Sequence, residues 1–177
     1  PDSVNYLSVA SNIAKGNGFM TYYGMPFFQA GPLYPIILAI PALFGVAPEL
    51  TARFLNAILC GSTIFVSGWL INMYINWKTL ALLCIGAVLL SVSLMNVYIM
   101  AWSDGFFIFL AIMFIFSLIK FEKDGTQFWL FLASILAGLS CLQRYPGVAL
   151  VLVGCILLAF FKKKSIRWRM KYITLFS

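Results

Sequence analysis

Long apolar runs separated by short polar connections are the feature that most constrains the fold of this 177-residue chain. The sequence is 63% hydrophobic and 10% charged, whereas soluble domains carry roughly a quarter of charged residues. A helix that crosses a bilayer needs about 17–25 mostly apolar residues. Five runs approach that length: 50–75, 79–100, 105–119, 127–142 and 148–161. A sixth run begins at Tyr172. We therefore expect an all-α polytopic membrane protein with about five to six transmembrane helices.

Histidine and cysteine usage excludes several kinds of site. The chain has no histidine, which removes His general bases and most catalytic zinc sites. All four cysteines lie within apolar segments at no ligand-like spacing: Cys60, Cys84, Cys141 and Cys155. A free cysteine in such a segment behaves as a small hydrophobic residue, so these four indicate neither a disulfide framework nor a metal centre.

Basic residues predict the orientation of the spans. Lys78, the pair Lys120 and Lys123, and the cluster 162–171 fall in every second connection. The positive-inside rule places these connections in the cytoplasm, so the segments 5–49, 102–104 and 144–146 are expected outside. The cytoplasmic connections hold nine basic and two acidic residues, which accounts for the whole net charge of +7. The basic charge is thus a topology signal and an anionic-lipid contact, and no nucleic-acid partner is expected.

One apolar segment is too short to be a span. Residues 32–45 form a run of about 14 residues that contains Pro35 and Pro41, and a proline interrupts or kinks a helix. A crossing here would also separate the preceding residues from Glu49 on opposite sides of the membrane. We expect an interfacial or re-entrant helix in the outer leaflet.

The opening segment is predicted to form a surface helix. From Asp2 to Gly16, apolar residues recur at helical spacing and polar residues occupy the other sides of the helix. Asp2 or Ser3 is a candidate N-cap, and Gly16 or Gly18 a candidate terminator. The aromatic-rich stretch 19–28 that follows is typical of the headgroup level.

Two acids are placed on the same predicted face of the membrane. Asp2 and Asp104 both fall in outer segments, although each also sits where a helix cap belongs, as do Ser3 and Ser103 beside them. Two carboxylates there would supply a general base together with a ligand for a divalent cation or a sugar hydroxyl. Capping and catalysis both remain open at this point.

Two arginines are candidates for binding phosphate. Arg144 lies at the outer end of two runs, where topology disfavours positive charge, and guanidinium holds phosphate oxygens in bidentate fashion. Its alternative is to extend to the lipid headgroups. Arg53 is a weaker candidate, because it can pair with Glu49 one turn earlier.

Five short motifs follow one another in order along nearly the whole chain. They are Pro1-Asp2-Ser3 with Tyr6-Leu7, then Gly31-Pro32-Leu33-Tyr34-Pro35, Ala52-Arg53-Phe54-Leu55-Asn56-Ala57, Trp102-Ser103-Asp104, and Gln143-Arg144-Tyr145-Pro146-Gly147. This ordered set resembles the bacterial protein O-mannosyltransferase-like glycosyltransferases of the GT-C superfamily, which include the lipid A aminoarabinose transferases. The chain then looks like a fragment of one membrane-embedded domain, 1–177, truncated at both ends, with an outer loop at 1–49.

The resemblance implies an enzyme of the bacterial plasma membrane that takes a sugar from a polyprenyl-phosphate donor on the outer face. It places a catalytic aspartate at Asp2 and a further acid at Asp104. It places basic residues near the lipid phosphate at Arg144 and Arg53. The acceptor would be a lipid, a glycan or a protein.

The resemblance implies two further substrate-binding residues, Tyr6 and Tyr145, but it does not imply a metal site at Ala30-Gly31. Tyr6 and Tyr145 lie within the matching motifs. Some members of that glycosyltransferase family have an acidic residue and a lysine directly before the helix that corresponds to residues 32–45. This chain has Ala30-Gly31 at that point. A metal site built from those side chains is not expected, and a possible divalent cation elsewhere stays open.

Two other classes of protein compete with the inverting glycosyltransferase. A transporter or flippase for lipid-linked saccharides would carry polar or charged residues near the middle of its spans, and these runs carry almost none. A non-catalytic membrane subunit would use Asp2 and Asp104 only as helix caps.

Overall fold

The computed structural model describes residues 2–28 and 30–160, together with Tyr172, Thr174 and Phe176. Eight α-helices follow in order: α1 Asp2–Ala14, α2 Leu33–Ala42, α3 Pro48–Tyr74, α4 Lys78–Leu89, α5 Val92–Ile99, α6 Ser103–Asp124, α7 Gln127–Gln143 and α8 Val148–Ala159. A 3-10 turn, Tyr145–Gly147, precedes α8. Within the described residues the only β-type pairing is an isolated bridge between Met20 and Pro26. The predicted all-α class is confirmed.

In the part of the chain that the structure describes, two helices are long and apolar enough to cross a membrane, namely α3 with 27 residues and α6 with 22. The pair α4 and α5 counts as a third candidate if it forms one span, since the two helices are bent by 41° at their break. Helices α7 and α8 are apolar but shorter, with 17 and 12 residues. The predicted five to six spans are therefore not confirmed. The run from Tyr172 and the basic cluster 162–171 fall outside the continuously described residues.

The break in the second predicted run has a local cause. Ser91 has an extended backbone, and its hydroxyl accepts a hydrogen bond from the Leu94 N–H at 3.3 Å. Serine in this position is an N-cap, which starts a new helix and ends the α4 geometry before it. The hydropathy of the run alone gave no sign of the cap.

Helix α2 confirms that the short proline-bearing segment is a helix of its own. It has 10 residues and so spans about 15 Å, half of a roughly 30 Å hydrocarbon core. Pro35 lies in its first turn, where no intrahelical N–H bond is lost, and Pro41 lies next to its last residue. The prolines therefore mark the two ends of the helix. Its placement in the outer leaflet remains a prediction.

Helix α1 ends as the sequence predicts and starts differently. Gly16 has a φ of +81°, and its N–H bonds to the Ile13 carbonyl at 3.0 Å, which is the left-handed termination that glycine favours. Asp2 is itself the first helical residue. Among the described residues, neither the Asp2 nor the Ser3 side chain makes a hydrogen bond, so the predicted cap is not observed.

A buried asparagine joins α2, α3 and the end of α5. The Asn56 amide donates to the carbonyls of Tyr98 at 3.1 Å and Met100 at 2.7 Å. Its oxygen accepts the Tyr34 hydroxyl at 3.4 Å. Burial raises the pKa of Tyr34 to about 12, which keeps this phenol a neutral donor. Asn56 thus gives the Tyr98 carbonyl a partner where α5 ends, and it adds a second donor to the Met100 carbonyl, which also accepts the Trp102 N–H at 2.8 Å.

Replacing Asn56 tests this junction. We expect Asn56→Ala to lower the free energy of unfolding in detergent by about 1–3 kcal/mol, because the buried Tyr98 carbonyl and the buried Tyr34 hydroxyl lose their partner. Asn96→Ala is the matched control, since Asn96 is exposed on α5 and makes no hydrogen bond among the described residues. Equal stability of the two variants would contradict the assignment.

Candidate functional site

A pocket of about 120 Å³ lies where the N-termini of α1 and α6 meet the C-terminus of α7. Six residues line it: Asp2, Asn5, Tyr6, Phe27, Ala30 and Arg144. The first three belong to α1, the next two to the loop before α2, and Arg144 directly follows α7. The pocket therefore collects polar side chains from distant parts of an otherwise apolar chain.

Hydrogen bonds from Ser103 hold the three helix ends together. Its hydroxyl bonds with the Tyr6 hydroxyl at 2.8 Å, and its carbonyl accepts the Gln143 side-chain amide at 3.0 Å. Ser103 and Gln143 are fully buried, and Tyr6 is nearly so. Breaking any of these bonds would leave a polar group without a partner in an apolar setting. The network therefore fixes the position of α1 relative to α6 and α7.

An ion pair lies directly beside this network. The Arg144 guanidinium donates through Nη1 to Oδ1 of Asp104. Both side chains are partly exposed, so the pair contributes little to stability. Its consequence is geometric: one arm of the guanidinium is held by Asp104, while its remaining N–H groups make no hydrogen bond among the described residues.

Asp2, the first residue of α1, also lines the pocket and presents a carboxylate to it. Its side chain is exposed and accepts no hydrogen bond within the described residues. The N-terminus of a helix favours a negative charge at this position. The carboxylate oxygens of Asp2 are therefore available to accept a hydrogen bond from a group that enters the pocket.

The other predicted site residues are placed differently. Tyr145 does not line the pocket, and its hydroxyl donates to the Phe28 carbonyl at 3.0 Å. Arg53 is exposed on α3 and also lies outside the pocket lining. In the described part of the chain Arg53 makes no salt bridge with Glu49, so the predicted pairing is not observed. Asp104 reaches the site through Arg144.

The predicted capping roles of Ser103 and Asp104 are also not observed. Trp102 occupies the position before α6, and both residues lie inside its first turn. The Ser103 hydroxyl is used by Tyr6 and the Asp104 carboxylate by Arg144. Both side chains therefore bond to residues far away in the sequence and do not cap the helix backbone.

Several residues of the site escaped the sequence reasoning. Asn5 lines the pocket because it lies three residues after Asp2, on the same side of α1, a spacing that is visible in the sequence. Gln143 carried a weaker signal as a polar residue at the end of an apolar run. Phe27 and Ala30 lie in a loop, where no hydrophobic periodicity predicts which residues reach the pocket.

Close packing at Gly31 brings that loop against α7. A Cβ at this position would overlap the backbone carbonyls of Leu142 and Gln143. Only glycine permits such an approach. Gly31 thus allows the loop that supplies Phe27 and Ala30 to the pocket to pack against α7.

The donor set does not fit the divalent cation that two carboxylates suggested. Asp104 is paired with Arg144, which leaves Asp2 as the carboxylate in the pocket, beside a guanidinium. Hard cations require several oxygen ligands. Among the described residues no cluster of three His, Cys, Asp or Glu side chains is arranged to hold a metal ion.

Removing one hydroxyl tests the network at Ser103. We expect Tyr6→Phe to lower the free energy of unfolding by about 0.5–1.5 kcal/mol, because the buried Ser103 hydroxyl loses its partner. Tyr23→Phe serves as the control, since the Tyr23 side chain is 82% exposed and its hydroxyl has no partner in the described residues. A Tyr6→Phe variant as stable as this control would contradict the network.

Comparisons of the chain with protein-family models, with curated proteins and with solved structures found no match. The pocket chemistry and the ordered motifs are therefore the grounds on which a function is proposed.

Proposed function

We propose that this pocket is the active site of an integral-membrane glycosyltransferase. The enzyme transfers a sugar from a polyprenyl-phosphate donor to an acceptor hydroxyl, with inversion at the anomeric carbon. The observation that carries the proposal is that Asp2 and Arg144 line the same small pocket at the end of apolar helices. A carboxylate and a guanidinium so placed match a reaction that removes a proton at one atom and releases a phosphate at another.

Asp2 is the proposed general base. It accepts the proton of the acceptor hydroxyl as that oxygen bonds to the anomeric carbon. The bond between the anomeric carbon and the phosphate oxygen breaks on the opposite side of the sugar, which gives inversion. The products are the glycosylated acceptor and polyprenyl phosphate.

Arg144 is the proposed ligand of the departing phosphate. Its unengaged N–H groups donate charge-assisted hydrogen bonds to phosphate oxygens, and these strengthen as negative charge develops on the leaving group. Asp104 acts through Arg144 and is a positioning residue, because its carboxylate fixes one arm of the guanidinium. Tyr6 contributes the ring that forms part of the pocket wall. Arg53 and Tyr145 lie outside this pocket and have no assigned role in the step.

The proposed topology has the pocket on the outer face of a bacterial plasma membrane. Basic residues support it, since Lys123 lies over the Tyr74 ring at 4.9 Å and Lys120 pairs with Asp124 at 3.9 Å. These contacts lie at the opposite ends of α3 and α6 from the pocket, and the positive-inside rule assigns that end to the cytoplasm. In this topology α7 and α8 are spans as well, which gives five with α3, α6 and the α4–α5 pair.

No specific observation favours a saccharide flippase. Asn56 and Thr63 are the polar residues buried along α3 in the described structure. Asn56 bonds to backbone carbonyls, and Thr63 bonds to the Tyr98 hydroxyl at 2.7 Å. Both are engaged in helix packing, so neither supports a polar path through the membrane.

Asp2→Asn in the full-length protein tests the base. With radiolabelled polyprenyl-phosphate mannose or aminoarabinose as donor, and a membrane extract supplying acceptors, we expect glycosyl transfer to fall by about 10²–10⁴-fold, because asparagine accepts no proton. Glu49→Gln removes an exposed acid outside the pocket and should transfer at the wild-type rate. Wild-type transfer by Asp2→Asn would rule out the base.

A further inference from the structure

An asparagine with an unused side-chain amide faces the pocket. Asn5 is half-buried on α1 and lines the pocket. Its backbone carbonyl accepts the Ser8 hydroxyl at 2.9 Å, but its amide makes no hydrogen bond among the described residues. The two other asparagines that are shielded from solvent are both engaged: Asn12 donates to a loop carbonyl at 2.8 Å, and Asn56 donates to a carbonyl after α5 at 2.7 Å. In the described structure, Asn5 therefore differs from them in keeping both its donor and its acceptor unused.

The rotation of α1 holds Asn5 at the pocket. Tyr6, the next residue, is buried, bonds to Ser103 and packs edge-on against Phe27 with 5.7 Å between ring centroids. Val9, one turn after Asn5, is fully buried, so Asn5 lies on the inward side of the helix. A polar side chain there gives up part of its hydration and gains no bond within the described structure. This costs free energy unless a ligand supplies the partner.

The charges in the pocket divide it between two kinds of ligand group. Asp2 lies three residues before Asn5, so their Cβ atoms are about 5–6 Å apart on the helix surface. A phosphate beside Asn5 would be repelled by the Asp2 carboxylate, whereas a neutral hydroxyl would not. The Arg144 guanidinium is cationic and suits the phosphate. A hydroxyl within hydrogen-bond reach of Asp2 is therefore the group that suits Asn5.

We propose that Asn5 binds the acceptor hydroxyl and holds its oxygen between its own amide and Asp2. A hydroxyl has one proton to donate and two lone pairs. The proton is donated to the Asp2 carboxylate, and one lone pair accepts the Asn5 Nδ2–H. The second lone pair remains to attack the anomeric carbon. This inference rests on the proposed function, and it adds the residue that determines where the acceptor oxygen lies.

Replacement of Asn5 by leucine tests the inference, because leucine has a similar shape and no hydrogen-bonding group. The full-length variant transfers label from radiolabelled polyprenyl-phosphate mannose or aminoarabinose to a membrane extract whose concentration is varied. Binding of polyprenyl phosphate is measured separately in the same detergent. Asn72→Leu is the matched control, since Asn72 is exposed near the C-terminal end of α3, outside the pocket lining, and makes no hydrogen bond among the described residues. Asn5→Gln keeps the amide on a longer side chain.

We expect Asn5→Leu to need about 2- to 12-fold more extract for half-maximal transfer than Asn72→Leu, which corresponds to one neutral hydrogen bond of about 0.5–1.5 kcal/mol. Asn5→Gln should need less extract than Asn5→Leu, because it retains a donor. The dissociation constant for polyprenyl phosphate should be unchanged in both variants, since Arg144 binds the phosphate.

Equal extract requirements for Asn5→Leu and Asn72→Leu would overturn the inference and leave the proposed function in place. A parallel loss of polyprenyl phosphate binding would assign Asn5 to the phosphate or to the fold, and would also overturn it. A glutamine variant as weak as the leucine variant would replace the hydrogen bond by a packing role. A wild-type protein that transfers no sugar would overturn the proposed function and this inference with it.

The free energy of unfolding gives a readout that does not depend on catalysis. Because the Asn5 amide has no partner in the described structure, we expect Asn5→Leu to be at least as stable in detergent as the wild type. A loss of stability as large as that expected for Tyr6→Phe would show that the amide supports the fold. That result would overturn its assignment to a ligand.

Discussion

Two hydrogen bonds at Ser103 determine how the ends of three helices meet. One joins its hydroxyl to Tyr6 of α1, and the other joins its carbonyl to Gln143 of α7. All three residues are buried in an apolar environment, where an unmade hydrogen bond is costly. The relative positions of Asp2 and Arg144 follow from this junction, because Asp2 lies four residues before Tyr6 and Arg144 directly follows Gln143.

Helix termini are also where an apolar chain can hold charge. Asp2 and Asp104 lie in the first turns of α1 and α6, and Arg144 follows the last residue of α7. Each sign is the one that the helix dipole favours at that terminus. Local electrostatics and the proposed chemistry therefore require the same residues at the same places, and the spans between them can stay free of charge.

Local signals predicted the parts of the fold that depend on local physics. The all-α class, the ending of α1 at Gly16 and the separate helix α2 follow from hydropathy, a left-handed glycine and two prolines. The break between α4 and α5 at Ser91 was not predicted, because the mean hydropathy of a long apolar run hardly changes when it contains one capping serine. The capping alternative for Ser103 and Asp104 is not observed, since a cap is a local expectation and their partners in the structure, Tyr6 and Arg144, are 97 and 40 residues away. Phe27 and Ala30 reach the pocket through the close approach of Gly31 to α7, which no sequence pattern encodes.

We propose that the guanidinium of Arg144, held by Asp104 in a pocket shared with Asp2, binds the phosphate of a polyprenyl lipid. The most direct measurement is the equilibrium dissociation constant for polyprenyl phosphate, determined for the wild type and for Arg144→Gln in the same detergent. Charge-assisted hydrogen bonds of about 1.5–3 kcal/mol predict that the substitution weakens binding by about 10- to 150-fold, at 1.4 kcal/mol per factor of ten. Equal affinities for the two proteins would contradict the claim.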